Sequence, residues 1–256
     1  MGNQTRRQFL EDSLFAAAAA AGAASVACNV LADDTAGKKK IGPNEQIRIA
    51  VIGCGGRGLG SHVSEFLGQP DVVITTVCDA DASRSPLALE RIEKTTGKKP
   101  VFVQDLRRIM DDKSIDAVSI ATTNHWHSLA AIWALQAGKH VYVEKPVSHN
   151  VFEGRKAVEA ARKYNRVCQG GTQIRSNPGV RDAMQYLHDG KLGKVHLARA
   201  LCYKGRGSIG KVDAEQQPPK AIDYDLWTGP AAIKPVMRKN FHYDWHWIWD
   251  YGNGDL

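Results

Sequence analysis

Two rhythms of hydrophobic positions alternate along most of this chain. Ile47, Ile49, Val51 and Ile52 form a short β-branched run of the kind that fills a buried parallel strand. Val72 to Val77 repeats the pattern, as do Pro100 to Val103, Asp116 to Thr122, His140 to Val143 and Arg166 to Gln169. Between these runs the spacing lengthens to that of helices, near Gly58 to Leu67, Pro86 to Lys94, Gln104 to Asp111, Ser128 to Ala137 and Phe152 to Tyr164. Strands regularly separated by helices predict an α/β fold with a parallel, doubly wound sheet. After Gly170 the rhythm weakens. A helix is expected over Val180 to Leu187, stopped at Asp189-Gly190, then a strand over Val195 to Tyr203, then a loop over 204–240. Tyr243, Trp245, Trp247, Trp249 and Tyr251 recur with period two, which in an extended segment puts all five rings on one side.

The first strand runs directly into Gly53-Cys54-Gly55-Gly56-Arg57-Gly58. This is G-x-G-x-x-G, with Gly56 and Arg57 in its variable positions. In a dinucleotide site the first glycine allows the tight turn, the second lets backbone approach a pyrophosphate, and the third lets the next helix pack on the strand. The phosphates then meet the unpaired N–H groups at that helix's start. The motif alone is weak, but its context is complete: the second strand ends at Cys78-Asp79, and Asp79 lies 21 residues after Gly58. An acid at that place accepts hydrogen bonds from the adenosine ribose and repels a 2′-phosphate, so NAD is expected over NADP. Arg57 and Arg84 are cations that soften that preference and leave NADP open.

Composition narrows the partners. The chain has 256 residues, 43% of them hydrophobic and 24% charged, which is ordinary for a soluble domain or two. A net charge of +7 suits an anionic ligand, but no basic helix or stripe points to nucleic acid. The five cysteines, at 28, 54, 78, 168 and 202, fit neither a zinc site nor a disulfide framework. His242 and His246 would lie about 13 Å apart in an extended chain, too far for one metal ion. Near the start, Thr5-Arg6-Arg7-Gln8-Phe9-Leu10 resembles a twin-arginine export signal. An alanine-rich stretch too short and weakly apolar for a stable membrane span follows it, and Val30-Leu31-Ala32 offers a cleavage site. Residues 1–32 therefore read as a signal peptide for export to the periplasm, 33–45 as a linker, 46–168 as the nucleotide-binding domain, and 169–256 as a second, partial domain.

Glu144-Lys145-Pro146 follows the strand His140 to Val143, and Thr122-Thr123-Asn124-His125-Trp126-His127 follows the strand before it. Both belong to the carboxyl edge of the inferred sheet, where such folds bind ligands. The glycine fingerprint, Asp79, this histidine-bearing loop and Glu144-Lys145-Pro146, in that order, resemble the glucose-fructose oxidoreductase, inositol dehydrogenase and rhizopine-catabolism (Gfo/Idh/MocA) family over roughly residues 46–256. The resemblance implies an N-terminal Rossmann domain that binds NAD or NADP. It implies an α+β substrate domain with a mixed open sheet, through which a homo-oligomer forms, and substrates that are sugars, cyclitols or related polyols. It assigns Lys145 to the proton path of hydride transfer. The physical logic stands beside it: a lysine's ordinary pKa of about 10 makes a poor base, and desolvation or a neighbouring cation is what makes it a useful one.

Cofactor-binding candidates are then Gly53, Gly55, Gly56, Arg57, Gly58, Asp79, Thr122, Asn124, His127, Glu144 and Lys145. His125 and His127 are expected to line the nicotinamide side, with a helix cap or packing as the alternative for His127. Gln173 and Arg175, in a segment similar to the family's entry to the substrate domain, are substrate candidates. Trp245 is one also, since an aromatic row either packs or stacks against sugar rings. Family members usually carry an Asp and a His four apart beyond a Gly-rich segment like 252–256. The sequence stops before that point, and on the resemblance the second domain is expected to be incomplete. Two other functions stay open: an NAD-dependent glycoside hydrolase working by oxidation and elimination, and a nucleotide-binding protein without turnover.

Overall fold

The computed structural model describes residues 45–203 and 205–254. The twin-arginine stretch, the alanine run and all but the last residue of the linker lie outside the described residues. Six strands form one parallel sheet: β1 (Ile47–Ile52), β2 (Val72–Cys78), β3 (Val101–Val103), β4 (Ala117–Ile120), β5 (His140–Glu144) and β6 (Cys168–Gly171). Their order, β3-β2-β1-β4-β5-β6, is that of the doubly wound dinucleotide-binding fold. The order reverses between β1 and β4, which pair from Ile49–Ala117 to Ile52–Ile120. The crevice at their carboxyl ends is where this topology places a ligand.

The period-two pattern of β1 explains why the sheet is covered twice. Ala50 and Ile52 face one core, with Val118, Ile120, Val141 and Val143 from the neighbouring strands. Ile49 and Val51 face the other, with Ile74, Val77, Ala88 and Ile92. The first core is closed by α4 (Asn124–Gln136), whose Ala130, Ala131 and Ala134 let the helix lie close on the strands. The second is closed by α1, a wide turn over Gly58–Val63 followed by Ser64–Leu67, and by α2 (Ser85–Thr96). Helix α2 ends at Gly97, whose left-handed conformation (φ +71°) is one that glycine adopts readily at a helix stop. Short α3 (Arg107–Asp111) and α5 (Val151–Lys163) complete the alternation.

Three expectations change. Helix α4 starts at Asn124, so Asn124, His125, Trp126 and His127 form its first turn rather than a loop before it. The residues from Val195 to Tyr203 are exposed and form no ladder with any described segment; alternation proposes a strand, but pairing makes one. The aromatic row is not extended either. Asp244–Trp247 is a tight helical turn, which leaves Trp245 and Tyr251 buried and Trp249 89% exposed. The other elements of this part are α6 (Pro178–His188), none of whose residues is buried, and the short α7 (Tyr224–Thr228). Among the described residues, no helix is long and apolar enough to cross a membrane.

Candidate functional site

The glycine turn shows which glycines the backbone requires. At Gly53, with φ +94°, a side chain would strike the Ala121 carbonyl at the end of β4, and the Gly53 N–H donates to Cys78 O at 2.7 Å. A side chain at Gly58 would meet the Gly53 carbonyl, so this residue lets α1 fold back under the turn. Gly55 and Gly56 have nothing within 4 Å of where a side chain would begin. They face a cavity of about 680 Å³ running along the carboxyl edge of the sheet. That surface is bare backbone beside the start of a helix, the cradle a pyrophosphate needs.

Asp79 closes one end. Its carboxylate accepts from Cys54 N at 2.7 Å and Asp81 N at 2.9 Å, which fixes it at the tip of β2. Burial pushes its pKa up, against those two donors. Each oxygen retains a second lone pair for a ribose hydroxyl. The adjoining loop is fastened from below: Asp81, 1% exposed, accepts from Ser83 and lies 2.9 Å from His242 Nε2.

The opposite end is built from β5 and α4. Lys145 follows β5, is exposed at the cavity, and precedes a cis peptide bond to Pro146. Glu144, 5% exposed, turns inward. Its Oε1 accepts from Arg57 Nε at 2.7 Å and lies 3.0 Å from His62 Nε2; its Oε2 accepts from the Lys145 N–H at 3.2 Å. Burial pushes this carboxyl upward, but the His62 and Arg57 bonds outweigh it and bring its pKa down to about 2. An ionised carboxylate only accepts, so His62 Nε2 donates. The other ring nitrogen meets Ser119 Oγ at 2.6 Å. His127, 1% exposed, sits between two carbonyls, with Nδ1 2.6 Å from Pro146 O and Nε2 3.1 Å from Thr122 O. Burial pushes its pKa down, against the pull of those two carbonyls. The ring joins the Lys145-Pro146 turn to the turn after β4.

Residues 219–253 form a strap along the same cavity. At the Asp79 end, Ala82 N donates to Ala221 O at 3.0 Å and Asp223 N to Ala80 O at 2.9 Å. At the Lys145 end the strap docks on the first turn of α4. Trp126 Nε1 donates to Trp227 O at 3.0 Å, and His125 Nε2 lies 3.2 Å from the same oxygen. Asn124 donates to Asn253 Oδ1 at 3.2 Å, and Asn253 donates to His149 O at 3.0 Å. Gly229 lies so close to the Trp126 indole that a side chain there would overlap it. Trp227, Trp245 and Tyr251 form the strap's own small core. Arg238 is 3% exposed, its guanidinium 4.0 Å from the centre of the Phe241 ring and 4.6 Å from that of Trp227.

The cavity therefore gathers Gly53, Gly55, Gly56, Arg57, Asp79, Thr122, Asn124, His127, Glu144, Lys145, Gln173 and Trp245 along its wall. It does not gather Gly58, which packs beneath the turn, or Arg175, which is exposed and outside it. His125 departs from its expected place at the nicotinamide side; it is 4% exposed, absent from the cavity wall and committed to the strap. His62, Ser119 and Trp227 are not among the sequence candidates, and His242, weighed only as a metal ligand, lies instead against Asp81. His62 follows Gly58 by one helical turn, which puts it on the face of α1 turned to the sheet, and that spacing was a usable signal.

Comparison with known proteins agrees with this geometry. The NAD-binding Rossmann-fold profile of the Gfo/Idh/MocA oxidoreductase family matches residues 47–172, and the profile of that family's C-terminal alpha/beta domain matches residues 177–256. A glycosyl hydrolase family 109 protein of Shewanella sp. (strain ANA-3) is 33% identical over 229 residues, which is 83% of this chain and 49% of that protein. An alpha-N-acetylgalactosaminidase of Shewanella oneidensis is 32% identical over 183 residues, 66% of this chain and 39% of that one. The chain thus spans about half the length of the curated relatives it matches, or less. Among solved structures, the WlbA dehydrogenase of Bordetella pertussis, in complex with NADH and UDP-GlcNAcA, is 25% identical with a TM-score of 0.51, covering 59% of this chain and 42% of that one. The myo-inositol 2-dehydrogenase of Lactobacillus plantarum, 24% identical with a TM-score of 0.52 over 59% of this chain and 43% of its own, shares the fold. With its glycine turn, sheet order and both domain profiles in agreement, the chain belongs to the Gfo/Idh/MocA oxidoreductase family and carries that family's NAD-binding Rossmann domain.

Proposed function

We propose that the protein is an NAD-dependent oxidoreductase acting on a secondary alcohol of a sugar, cyclitol or related polyol. The observation that carries this reading is a single cavity with a bare glycine turn and Asp79 at one end and Lys145 at the other. Gly55 and Gly56 would receive the pyrophosphate and Asp79 the adenosine ribose. Asp79, with buried Asp81 beside it, disfavours the extra phosphate of NADP. NAD supplies the hydride acceptor when bound. Lys145, at the rim of the cavity, takes the hydroxyl proton as the carbon–hydrogen bond breaks. Glu144 and His127 fix the turn that presents it. Gln173 and Trp245, on the same wall, are the residues available to a substrate ring.

The names of the curated relatives favour one second reading, an NAD-dependent glycosidase that oxidises, eliminates and reduces back with no net redox change. The same cavity serves it. A twin-arginine signal at Thr5 to Leu10 supports export to the periplasm in folded form, after a nucleotide has been acquired. The test begins with protein purified without added cofactor, from which released nucleotide is identified by mass. Polyols and aryl glycosides are then offered with NAD. NADH formation from a polyol supports the dehydrogenase. Aryl release without net NADH selects the glycosidase. Tight NAD binding without either leaves a nucleotide-binding protein, and no NAD binding overturns the reading.

A further inference from the structure

The polar groups between the glycine turn and the Lys145 turn form one continuous chain of contacts, buried from Ser119 to Glu144. It begins at Ser119 on β4, 1% exposed, whose hydroxyl meets His62 Nδ1 at 2.6 Å. It passes through His62, 4% exposed, to Glu144 Oε1 at 3.0 Å. There it forks. One branch reaches Arg57 at 2.7 Å, and Arg57 is held in turn by Ser61 Oγ at 2.9 Å. The other runs from Glu144 Oε2 to the backbone N–H of Lys145 at 3.2 Å. Tyr142 and Phe66 lie edge-on against the His62 ring, their centroids 5.4 and 6.4 Å away. Helix α1 and the glycine turn thus meet directly on one carboxylate at the end of β5, and β4 reaches it through His62.

A buried charge placed so has to be matched, and a surrounding that matches it this fully is stiff. Arg57 is the only member in the glycine turn itself, and it also lines the cavity. An anion arriving at Gly55 and Gly56 comes up beside the cation that Glu144 already engages. A shift of the Glu144 carboxylate alters its bond to the Lys145 N–H.

We propose that Glu144 is a positioning residue that couples the phosphate-binding turn to Lys145, so that occupancy at the pyrophosphate end sets the place and reactivity of the lysine. The inference rests on the dinucleotide reading of the cavity. It adds a role for Arg57, which then works through Glu144 and not only as a countercharge to the ligand.

ADP tests this, because it carries the adenosine and pyrophosphate but lacks the nicotinamide that would shield Lys145 directly. Acylation of Lys145 by a small activated ester is followed by peptide mass spectrometry at several pH values, with and without saturating ADP; affinity is measured separately by calorimetry. In the wild-type protein ADP should change the Lys145 acylation rate at least roughly fivefold and displace its pH profile, a response on the scale of the coupling energies between sites. In Glu144→Gln, ADP should still bind while the Lys145 response falls to within about twofold of none. Arg57→Lys keeps the cation but not the geometry and should show the same loss, and it serves if Glu144→Gln does not fold. An unchanged response in either folded variant overturns the coupling, as does a wild-type protein that binds ADP with no change at Lys145. A wild-type protein that does not bind ADP overturns instead the dinucleotide reading, and this inference with it.

Discussion

Between Ile47 and Gly171 aliphatic side chains fill both faces of a sheet. Between residues 219 and 253 three buried aromatic rings and a row of hydrogen bonds replace that double core. The first region has its own ladder, with six parallel strands and helices on each side. Among the described residues the strap joins no ladder, only the isolated bridges Asp81–Ile222 and Gln216–Val236, and it takes its place from contacts with the loop after β2 and the first turn of α4. Its arrangement therefore depends on the sheet far more than the sheet depends on it. The groove between them has one rigid wall and one docked wall.

The largest effect should come from the rigid wall. Gly58→Val drives a side chain into the Gly53 carbonyl and is expected to weaken NAD binding by roughly a hundredfold or more, about 3 kcal/mol, in a calorimetric titration. Wild-type affinity in that variant would mean the turn is not the binding surface. On the docked wall, Trp126→Ala removes an 8%-exposed indole and its two bonds to the strap. It should cost about 3–5 kcal/mol of strap stability. Near-ultraviolet circular dichroism should report the loss, while the far-ultraviolet signal of the sheet stays. Loss of both signals together would show that the two regions unfold as one.

Acid should separate them next. Burial pushes the His125 pKa down to about 4 from an ordinary 6.5, despite the carbonyls of Trp227 and Tyr251. Between those values the unfolded chain holds more protons than the folded one, so this part of the stability falls as pH drops from 6.5 towards 4. Glu144 acts lower. Its folded pKa of about 2 lies below the ordinary 4.5, so its contribution is complete above 4.5 and is lost as pH falls through about 2. Tryptophan fluorescence should therefore change in the upper window before the sheet's circular dichroism changes in the lower. A single shared midpoint would remove the distinction. The smallest effect is expected of Asn253→Ala, which cuts two side-chain bonds at one end of the strap for about 1–2 kcal/mol, read as a lower melting temperature without loss of NAD affinity.

The same division governs what could be read in advance. Strands and helices up to Gly171 were legible because their side chains obey a period the backbone imposes, and the glycine turn because only glycine tolerates Gly53's φ and Gly58's contact. The cavity candidates were legible as a set, but not their mutual bonds. Glu144 reads as a neighbour of Lys145, and nothing in its spacing says that it turns to Arg57 and His62. The aromatic row misled because period two describes an isolated strand. Here the chain turns at Asp244–Trp247 so that Trp245 and Tyr251 can reach Trp227, a choice made by distant residues. His125 was misplaced for the same reason: its partners are 102 and 126 positions away.

The fastening of the strap at both ends of one cavity also bears on time. Where the strap covers a ligand lying the length of that groove, the ligand leaves only when bonds at the Ala80–Asp223 end, at the Asn124–Asn253 end, or at both have opened. Its residence is then set by the opening rate of the protein rather than by the strength of its own contacts. Two ligands of unequal affinity would depart at similar rates. Trp126→Ala would speed the departure of both by the same factor.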